Sequence, residues 1–592
     1  MYQAPLKDIS FVLDELIGAA ALGSCSHYAD YSPEVAATVL SEAARFAETV
    51  LAPLNRSGDT EGAHWHEDGV TTPAGFKDAY RQFVEGGWPQ LGADAEYGGQ
   101  GVPLMLATAV QEIWAAANLA FKLCPMLTHG ASHALEITGS PEQRERYLPK
   151  MIRGEWTGTM VLTEPQAGSD LGLIRTRAVP QADHYRLFGQ KIFITWGDHD
   201  YTDNIIHMVL ARIDGAPPGT RGISLFIVPK VLVGADGRLG ARNEVRCLSI
   251  EHKLGIHASP TCVLGFGEKE GAIGYLVGEP NRGLEYMFIM MNTARLAVGL
   301  EGYAVAERAF QQAAEWARTR VQGRPPVAAS AAPATIIHHP DVKRMMLGMK
   351  SGVEAMRALT LYAACQLDLA RYADAADVRA AAQARGDLLI PIVKGWCTEF
   401  GIEIASVGIQ VHGGMGFIEE TGAAQYLRDV RITAIYEGTT GIQSNDLIGR
   451  KIGRDRGAAM QSLIAEMLSE LEAIAAGDPV VQEIRTQTRE SIGLLREATD
   501  VIVGLYSKAP EQAAAVSVPY LKLCGTAIGG WLMARAASIA ARKLDGADRE
   551  FYAGKLASAR FYAAQILPGV LALHRTVRAG FASVVEADGA LI

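Results

Sequence analysis

The chain has few of the features that would make its function easy to guess. Its seven cysteines (Cys25, Cys124, Cys247, Cys262, Cys365, Cys397 and Cys524) are scattered, odd in number and without any CxxC spacing. That argues against a disulfide framework and a zinc site. It fits free, buried thiols in a reducing compartment, so a cytoplasmic location is expected. There is no excess of positive charge: 55 basic against 65 acidic residues leave a net −10. An acidic chain has no bulk attraction for nucleic acid or anionic membranes. Any nucleotide or coenzyme A site must be built from local basic residues. The opening Met1-Tyr2-Gln3-Ala4-Pro5-Leu6-Lys7-Asp8 lacks a basic stretch followed by an apolar one, so no signal peptide is expected. No membrane span is expected either. The most hydrophobic window, 525–541, is broken by Arg535 and preceded by Lys522, which reads as a buried bundle helix. No GxGxxG follows a strand and no P-loop occurs, so a Rossmann domain is unsupported.

What is present is length and pattern. A chain of 592 residues is too long for one core and implies about three or four domains. Residues 36–156, after an extension over 1–35, read as helical. Pro33 to Leu54 carries Val35, Leu40, Ala43, Phe46, Val50 and Leu51 at helical spacing. Pro103 opens a second apolar helix through Trp114 to Phe121, and Ser140-Pro141-Glu142-Gln143 reads as a capped helix start. Over 157–282 the pattern changes to short β-branched runs, 191–195, 205–210 and 223–228, separated by turns. These predict an antiparallel β barrel or sandwich. Over 283–452 helices return, at 284–318, 342–370, 375–408 and 445–449, with a Pro/Ala-rich loop over 323–340. Residues 453–592 read as an additional helical bundle with breaks at Gly477-Asp478, Pro510 and Asp545-Gly546. The fold class expected is mainly α with a central β domain.

Five stretches stand out for chemistry. Leu162-Thr163-Glu164-Pro165-Gln166-Ala167-Gly168-Ser169-Asp170 is a small-residue loop. Its hydroxyls and free backbone N–H groups suit polar ring atoms or a phosphate, though on its own it reads more readily as a turn. Phe193-Ile194-Thr195 alternates as a strand, so an aromatic face and a hydroxyl share one side. Arg318-Thr319-Arg320-Val321-Gln322-Gly323-Arg324 places three arginines near a helix end. In Gln410-Val411-His412-Gly413-Gly414-Met415-Gly416, the glycines allow close backbone approach or a helix cap. Finally, Tyr436-Glu437-Gly438-Thr439-Thr440 sets one carboxylate between a ring and a glycine, after the apolar run 430–435. A carboxylate becomes a useful base near neutral pH only when desolvation raises its pKa. The plainer alternative is a glutamate paired with Arg428 or Arg431.

Together with the order helical, β, helical, these motifs make the chain resemble the acyl-CoA dehydrogenase family over about 35–450. The opening residues and the long C-terminal extension resemble the branch that contains the 3-methylmercaptopropionyl-CoA dehydrogenase type. The resemblance implies an N-terminal α-helical domain, a middle β domain and a C-terminal four-helix bundle. It implies FAD as cofactor, with Met160, Leu162, Thr163, Gly168, Ser169, Phe193 and Thr195 along the flavin. Phe193 replaces the usual tryptophan. Arg320, Gln322, Gln410, Gly413 and Gly414 would hold the pyrophosphate and ADP end, mainly of a neighbouring subunit's FAD, and Thr439 completes the set. Ser169, Asn292, Arg295 and Gly438 would meet the acyl-CoA, with Asn292 in place of the usual aspartate.

Some members carry their base at the position of Ala294, and alanine cannot take a proton, which leaves Glu437. The implied reaction is α,β-desaturation: Glu437 takes the α-proton and the β-hydrogen leaves as hydride to flavin N5. The thioester oxygen would be held by the Glu437 N–H and a ribityl hydroxyl. Electron-transferring flavoprotein is the implied acceptor, in a homodimer or higher homo-oligomer working in β-oxidation or dimethylsulfoniopropionate degradation. An oxygen-using acyl-CoA oxidase and a non-catalytic acyl-CoA-binding protein are the alternatives. The residues do not specify the acyl chain.

Overall fold

The computed structural model describes residues 2–325, 333–475 and 477–591. Part of the Pro/Ala-rich loop, 326–332, lies outside the described residues. Compactness divides the chain into two units. One comprises Met1–Ala44, Pro103–Ala116 and Val298–Ile592, and the other Arg45–Val102 and Ala117–Ala297.

The second unit is built around an eight-stranded sheet. In spatial order its strands are Val245–Ile250, Thr261–Phe266, Tyr185–Thr195, Ala272–Val277, Ile223–Pro229, Ile205–Ile213 and Thr157–Val161, with Arg177–Pro180 paired to both the third and the sixth. The three β-branched runs all lie within these strands. The expectation of antiparallel pairing needs one correction. Thr157–Val161 and Arg177–Pro180 each run parallel to Ile205–Ile213. Parallel neighbours need a long crossover between them, and the turn signals gave no sign of one. Val161, Leu187, Val209, Phe226, Val228, Leu264 and Phe266 form the core of this sheet.

The helices Leu119–Thr138 and Pro141–Ile152 belong to the same unit. The Pro141–Ile152 helix starts with the expected capping box, in which the Ser140 hydroxyl takes the Gln143 N–H and the Gln143 side chain takes the Ser140 N–H. The apolar helix expected over 103–121 is two helices, Leu104–Ala117 and Leu119–Thr138. Asn118 breaks it: its Oδ1 accepts from Phe121 N at 3.1 Å and its Nδ2 donates to Leu51 O at 3.3 Å. The helix from Pro33 also departs from regularity, passing through a π segment at Ala47–Leu51, and Val35 is exposed rather than part of its apolar stripe.

The first unit is helical. The helix Gly283–Thr319 runs into it, followed by Pro340–Tyr372 and Ala376–His412. The last runs one turn beyond the expected end at residue 408. Two elements escaped the periodicity: the short helix Ala423–Val430, and Thr440–Asp446 continuing as a π segment to Gly453, where only 445–449 was expected. Gly302 and Gly401 set the closest approach between helices. A Cβ at Gly302 would lie 2.5 Å from Cys397 O, and one at Gly401 would lie 2.2 Å from Gly302 O. Beside that crossing, fully buried Arg357 donates to Glu112 at 2.7 Å and to Glu307 at 3.0 Å, and Tyr303 donates to Glu112 at 3.1 Å. The window 525–541 lies in the helix Ser517–Ala541, whose most apolar stretch is 83% buried. All seven cysteines are free and buried.

Candidate functional site

In the sheet unit, the loop after Thr157–Val161 is held by a buried ion pair. The Lys191 ammonium sits 2.9 Å from Glu164 and donates to Leu162 O at 2.8 Å. Glu164 also accepts from Thr176 Oγ1 at 2.6 Å, Thr176 N at 3.0 Å, Arg175 N at 2.6 Å and Gln166 Nε2 at 2.7 Å. Burial alone would raise its pKa, but Lys191 and these donors bring it down to about 2. Burial pushes Lys191 the other way from its usual value, to about 8, against the pull of Glu164. Glu164 stands inside the motif and Lys191 heads an apolar strand, yet the motif reading assigned a role to neither.

This clamp fixes the residues around it. Ile192 N donates to Thr163 O at 2.9 Å, which puts Thr163 beside the strand carrying Phe193 and Thr195. Leu162 is buried, Met160 and Thr163 are half-buried, and Gly168 and Ser169 are exposed, with open space where a Gly168 Cβ would stand. Phe193 departs from the simple alternation expected of it. The register with Thr261–Phe266 shifts between Lys191 and Ile194, and Phe193 takes φ 58. At this bulge its ring is 59% exposed. An open aromatic face on the strand beside Thr163 fits a flat ring such as a flavin's. In the same unit Arg295 is buried, its Nη1 is 3.5 Å from Asn292 Oδ1, and its guanidinium lies 5.9 Å from the Phe288 ring centre.

The other candidates lie in the helical unit, in two groups. At the ends of Gly283–Thr319 and Ala376–His412, Trp316 stacks on His412 at 5.3 Å and the Arg320 guanidinium lies over Trp316 at 5.9 Å. That links the arginine motif to the glycine motif. Arg320, Gln322, Gln410, Gly413 and Gly414 are all exposed there. His412 itself is structural. It is buried, its Nδ1 donates to Gly408 O at 2.7 Å, and burial lowers its pKa.

The second group is the turn at Glu437. Glu437 (φ 56) and Gly438 (φ 89) both adopt the left-handed region, which costs a non-glycine residue roughly 1–2 kcal/mol. Two donors hold the turn there. Gln443 Nε2 donates to Glu437 O at 3.0 Å and Gly438 O at 3.2 Å, and Lys394 Nζ donates to Gly438 O at 2.6 Å. Thr439 caps the following helix by accepting from Ile442 N at 3.3 Å, and Thr440 donates to Glu399 at 2.6 Å. Glu437 is half-buried, and Arg428 pairs with Glu419 at 3.0 Å. Lys394 and Glu301, whose carboxylate accepts from the Tyr436 hydroxyl, went unnoticed in the sequence. A lone lysine inside the apolar run 388–397 was the available signal. The result is a carboxylate on a stiff, strained turn, placed by backbone contacts, as a proton-abstracting group requires.

Models of the acyl-CoA dehydrogenase N-terminal, middle and C-terminal domains match residues 34–155, 159–268 and 281–453. A model described as acetyl-CoA dehydrogenase C-terminal like matches 462–588. The chain is 47% identical to the 3-methylmercaptopropionyl-CoA dehydrogenase of Ruegeria pomeroyi, over 97% of this chain and 98% of that protein. It is 35% identical to a broad-specificity linear acyl-CoA dehydrogenase of Mycobacterium tuberculosis, over 100% and 99%. Among solved structures, Caenorhabditis elegans ACDH-11 in complex with C11-CoA superposes with TM-score 0.76 at 20% identity, covering 95% of this chain and 91% of that one. The FAD complex of an acyl-CoA dehydrogenase from Bacillus anthracis gives 0.70 at 21% identity, covering 100% and 94%. Family models spanning the chain from residue 34 to 588, and a full-length relative sharing nearly half of its residues, agree with the turn at Glu437 and the flavin-type loop: the chain belongs to the acyl-CoA dehydrogenase family.

Proposed function

We propose that the protein is an FAD-dependent acyl-CoA dehydrogenase that introduces an α,β double bond into an acyl-CoA thioester, with 3-methylmercaptopropionyl-CoA as the favoured substrate. The clamped turn that carries Glu437 is the observation that carries this reading. The carboxylate takes the α-proton, and the Glu437 N–H faces the thioester oxygen as the enolate develops. One such donor is worth about 3 kcal/mol and a positioned base roughly 10²–10⁴-fold. Bound flavin supplies the two-electron acceptor for the β-hydrogen. Leu162, Thr163, Ser169, Phe193 and Thr195 hold its ring, with Met160 and Gly168 beside them. Arg320, Gln322, Gln410, Gly413 and Gly414 hold the diphosphate end in a homodimer, with Thr439 completing the set. Ser169, Asn292, Arg295 and Gly438 contact the acyl-CoA. Electron-transferring flavoprotein takes the electrons onward, and the seven buried free thiols suit a cytoplasmic enzyme.

The substrate choice rests on the Ruegeria pomeroyi relative; the Mycobacterium tuberculosis relative supports linear fatty acyl chains as the second class. The test is anaerobic flavin bleaching by a panel of acyl-CoAs that includes 3-methylmercaptopropionyl-CoA. Bleaching is expected in the native enzyme and absent in Glu437→Gln, which still binds FAD and acyl-CoA. Undiminished bleaching in that variant would overturn the assignment.

A further inference from the structure

One fully buried carboxylate beside the site has no part in the reaction as described. Glu301 sits on the helix Gly283–Thr319, next to Gly302, where that helix packs backbone to backbone against Ala376–His412. Side chains at such a crossing have little freedom to move. Its Oε2 accepts a short hydrogen bond from the Tyr436 hydroxyl, across 135 residues of sequence. Tyr436 immediately precedes Glu437. The peptide between them is therefore pinned on one side by Glu301, through the Tyr436 ring, and on the other by Gln443 and Lys394, through the Glu437 and Gly438 carbonyls.

We infer that Glu301 is a positioning residue for proton abstraction: through the Tyr436 hydroxyl it holds the Tyr436–Glu437 peptide in its working orientation. The inference rests on Glu437 being the base. This follows from the geometry. The left-handed turn is strained, and strain persists only where the surroundings hold it from several sides. Glu301 and Glu437 both act on the Tyr436 phenol, whose pKa is raised by burial first and by these two carboxylates next, so the phenol stays protonated and donates. The other charged groups around the turn come from two more helices. Lys394 touches the Gly438 carbonyl, Glu399 accepts from Thr440, and Lys522 of Ser517–Ala541 lies 3.8 Å from both Glu399 and Glu403.

The experiment compares Glu301→Gln, Glu301→Ala, Tyr436→Phe and Glu437→Gln as holoenzymes with matched FAD content. It reads kcat and KM against pH, and separately the exchange of the acyl-CoA α-proton with deuterated solvent. Tyr436→Phe and Glu301→Ala are expected to lower kcat and α-proton exchange about tenfold or more, with KM nearly unchanged. Glu301→Gln keeps an acceptor for the phenol but no charge. It should recover most of the native kcat and α-proton exchange, a rescue that a merely structural loss would not show. If Glu437→Gln is inactive while the Glu301 and Tyr436 variants keep the native kcat, exchange rate and profile, the inference falls and the assignment of the base stands. If Glu437→Gln itself turns over, the assignment falls. Glu301→Ala inactive with no rescue by Glu301→Gln would also overturn the inference, since a positioning role needs only the acceptor.

Discussion

At the scale of single residues, much depends on how buried charge is paired. Glu164 and Lys191 show the balance. Transfer from water costs both ions, and the pair recovers this only because five donors converge on the carboxylate and Lys191 also reaches Leu162 O. Glu164 has its folded pKa near 2, well below its value in an unfolded chain. Its contribution is therefore fully present above about pH 4.5 and is lost as pH falls from there toward 2. Urea unfolding measured between pH 6 and 3 should show native stability dropping through that window. Glu164→Gln should be less stable at pH 6 by about 2–3 kcal/mol and show a flatter acid limb. An acid limb as steep in the variant as in the native protein would contradict this. Residue identity was partly legible in the sequence. The stretch around Glu437 points to a base only through its resemblance to the family, since on its own it reads equally as a paired glutamate. The left-handed conformations of Phe193 and Glu437 leave no trace, because only glycine signals a positive φ. The clamp around Glu437 was largely hidden, since Lys394 and Glu301 belong to other helices and only the lone lysine in the apolar run 388–397 hints at it.

At the scale of elements, periodicity identified the long helices because their apolar faces repeat every three or four residues over many turns. It failed where one polar side chain decides. Asn118 sits in an apolar run and has middling helix propensity, so nothing in the pattern announces a break there. In the structure it is fully buried and satisfies both the amide of Phe121 and the carbonyl of Leu51. Removing such a cap costs about 1–2 kcal/mol, and here a buried carbonyl also loses its donor. Asn118→Ala is therefore expected to lower the melting temperature by several degrees, whereas Asn118→Asp keeps the acceptor and should recover part of the loss. Equal melting of native and alanine forms would show that the cap carries no net stability. The parallel strand pairs were missed for a related reason: pairing partners are set by crossovers, while turn residues report only on their immediate neighbours.

At the scale of the whole chain, the two ends meet. Within the helical unit, residues of Leu6–Ser10 and Phe11–Ile17 pack on the helices of the C-terminal extension. Asp8 pairs with Lys555 and Lys7 with Asp548. Tyr552 donates to Glu15 at 2.7 Å, and Arg535 donates to Leu16 O at 2.7 Å. Phe11 meets Phe551 edge-on at 5.9 Å. Further back, Tyr2 is buried and donates to Ile113 O at 3.1 Å, so the opening segment is anchored at both ends of its path. No sequence pattern could reveal contacts between segments more than five hundred residues apart. Lys555 is the centre of this clamp. It is almost fully buried, it also lies 3.2 Å from Glu354, and its charge offsets both Asp8 and Glu354. Burial would raise the Asp8 pKa, but Lys555 brings it down to about 2, so the carboxylate is ionised throughout the physiological range. Lys555→Met keeps the length of the side chain and removes the charge, leaving buried Asp8 without its ion-pair partner while Lys350 still pairs with Glu354, at a cost of about 3 kcal/mol. Hydrogen exchange should then quicken together in 6–17 and 549–561, with the turn at Glu437 unaffected. Faster exchange confined to 549–561 would mean that the opening segment is held independently of the clamp. Unchanged exchange in both would mean that the aromatic contacts alone secure the two ends.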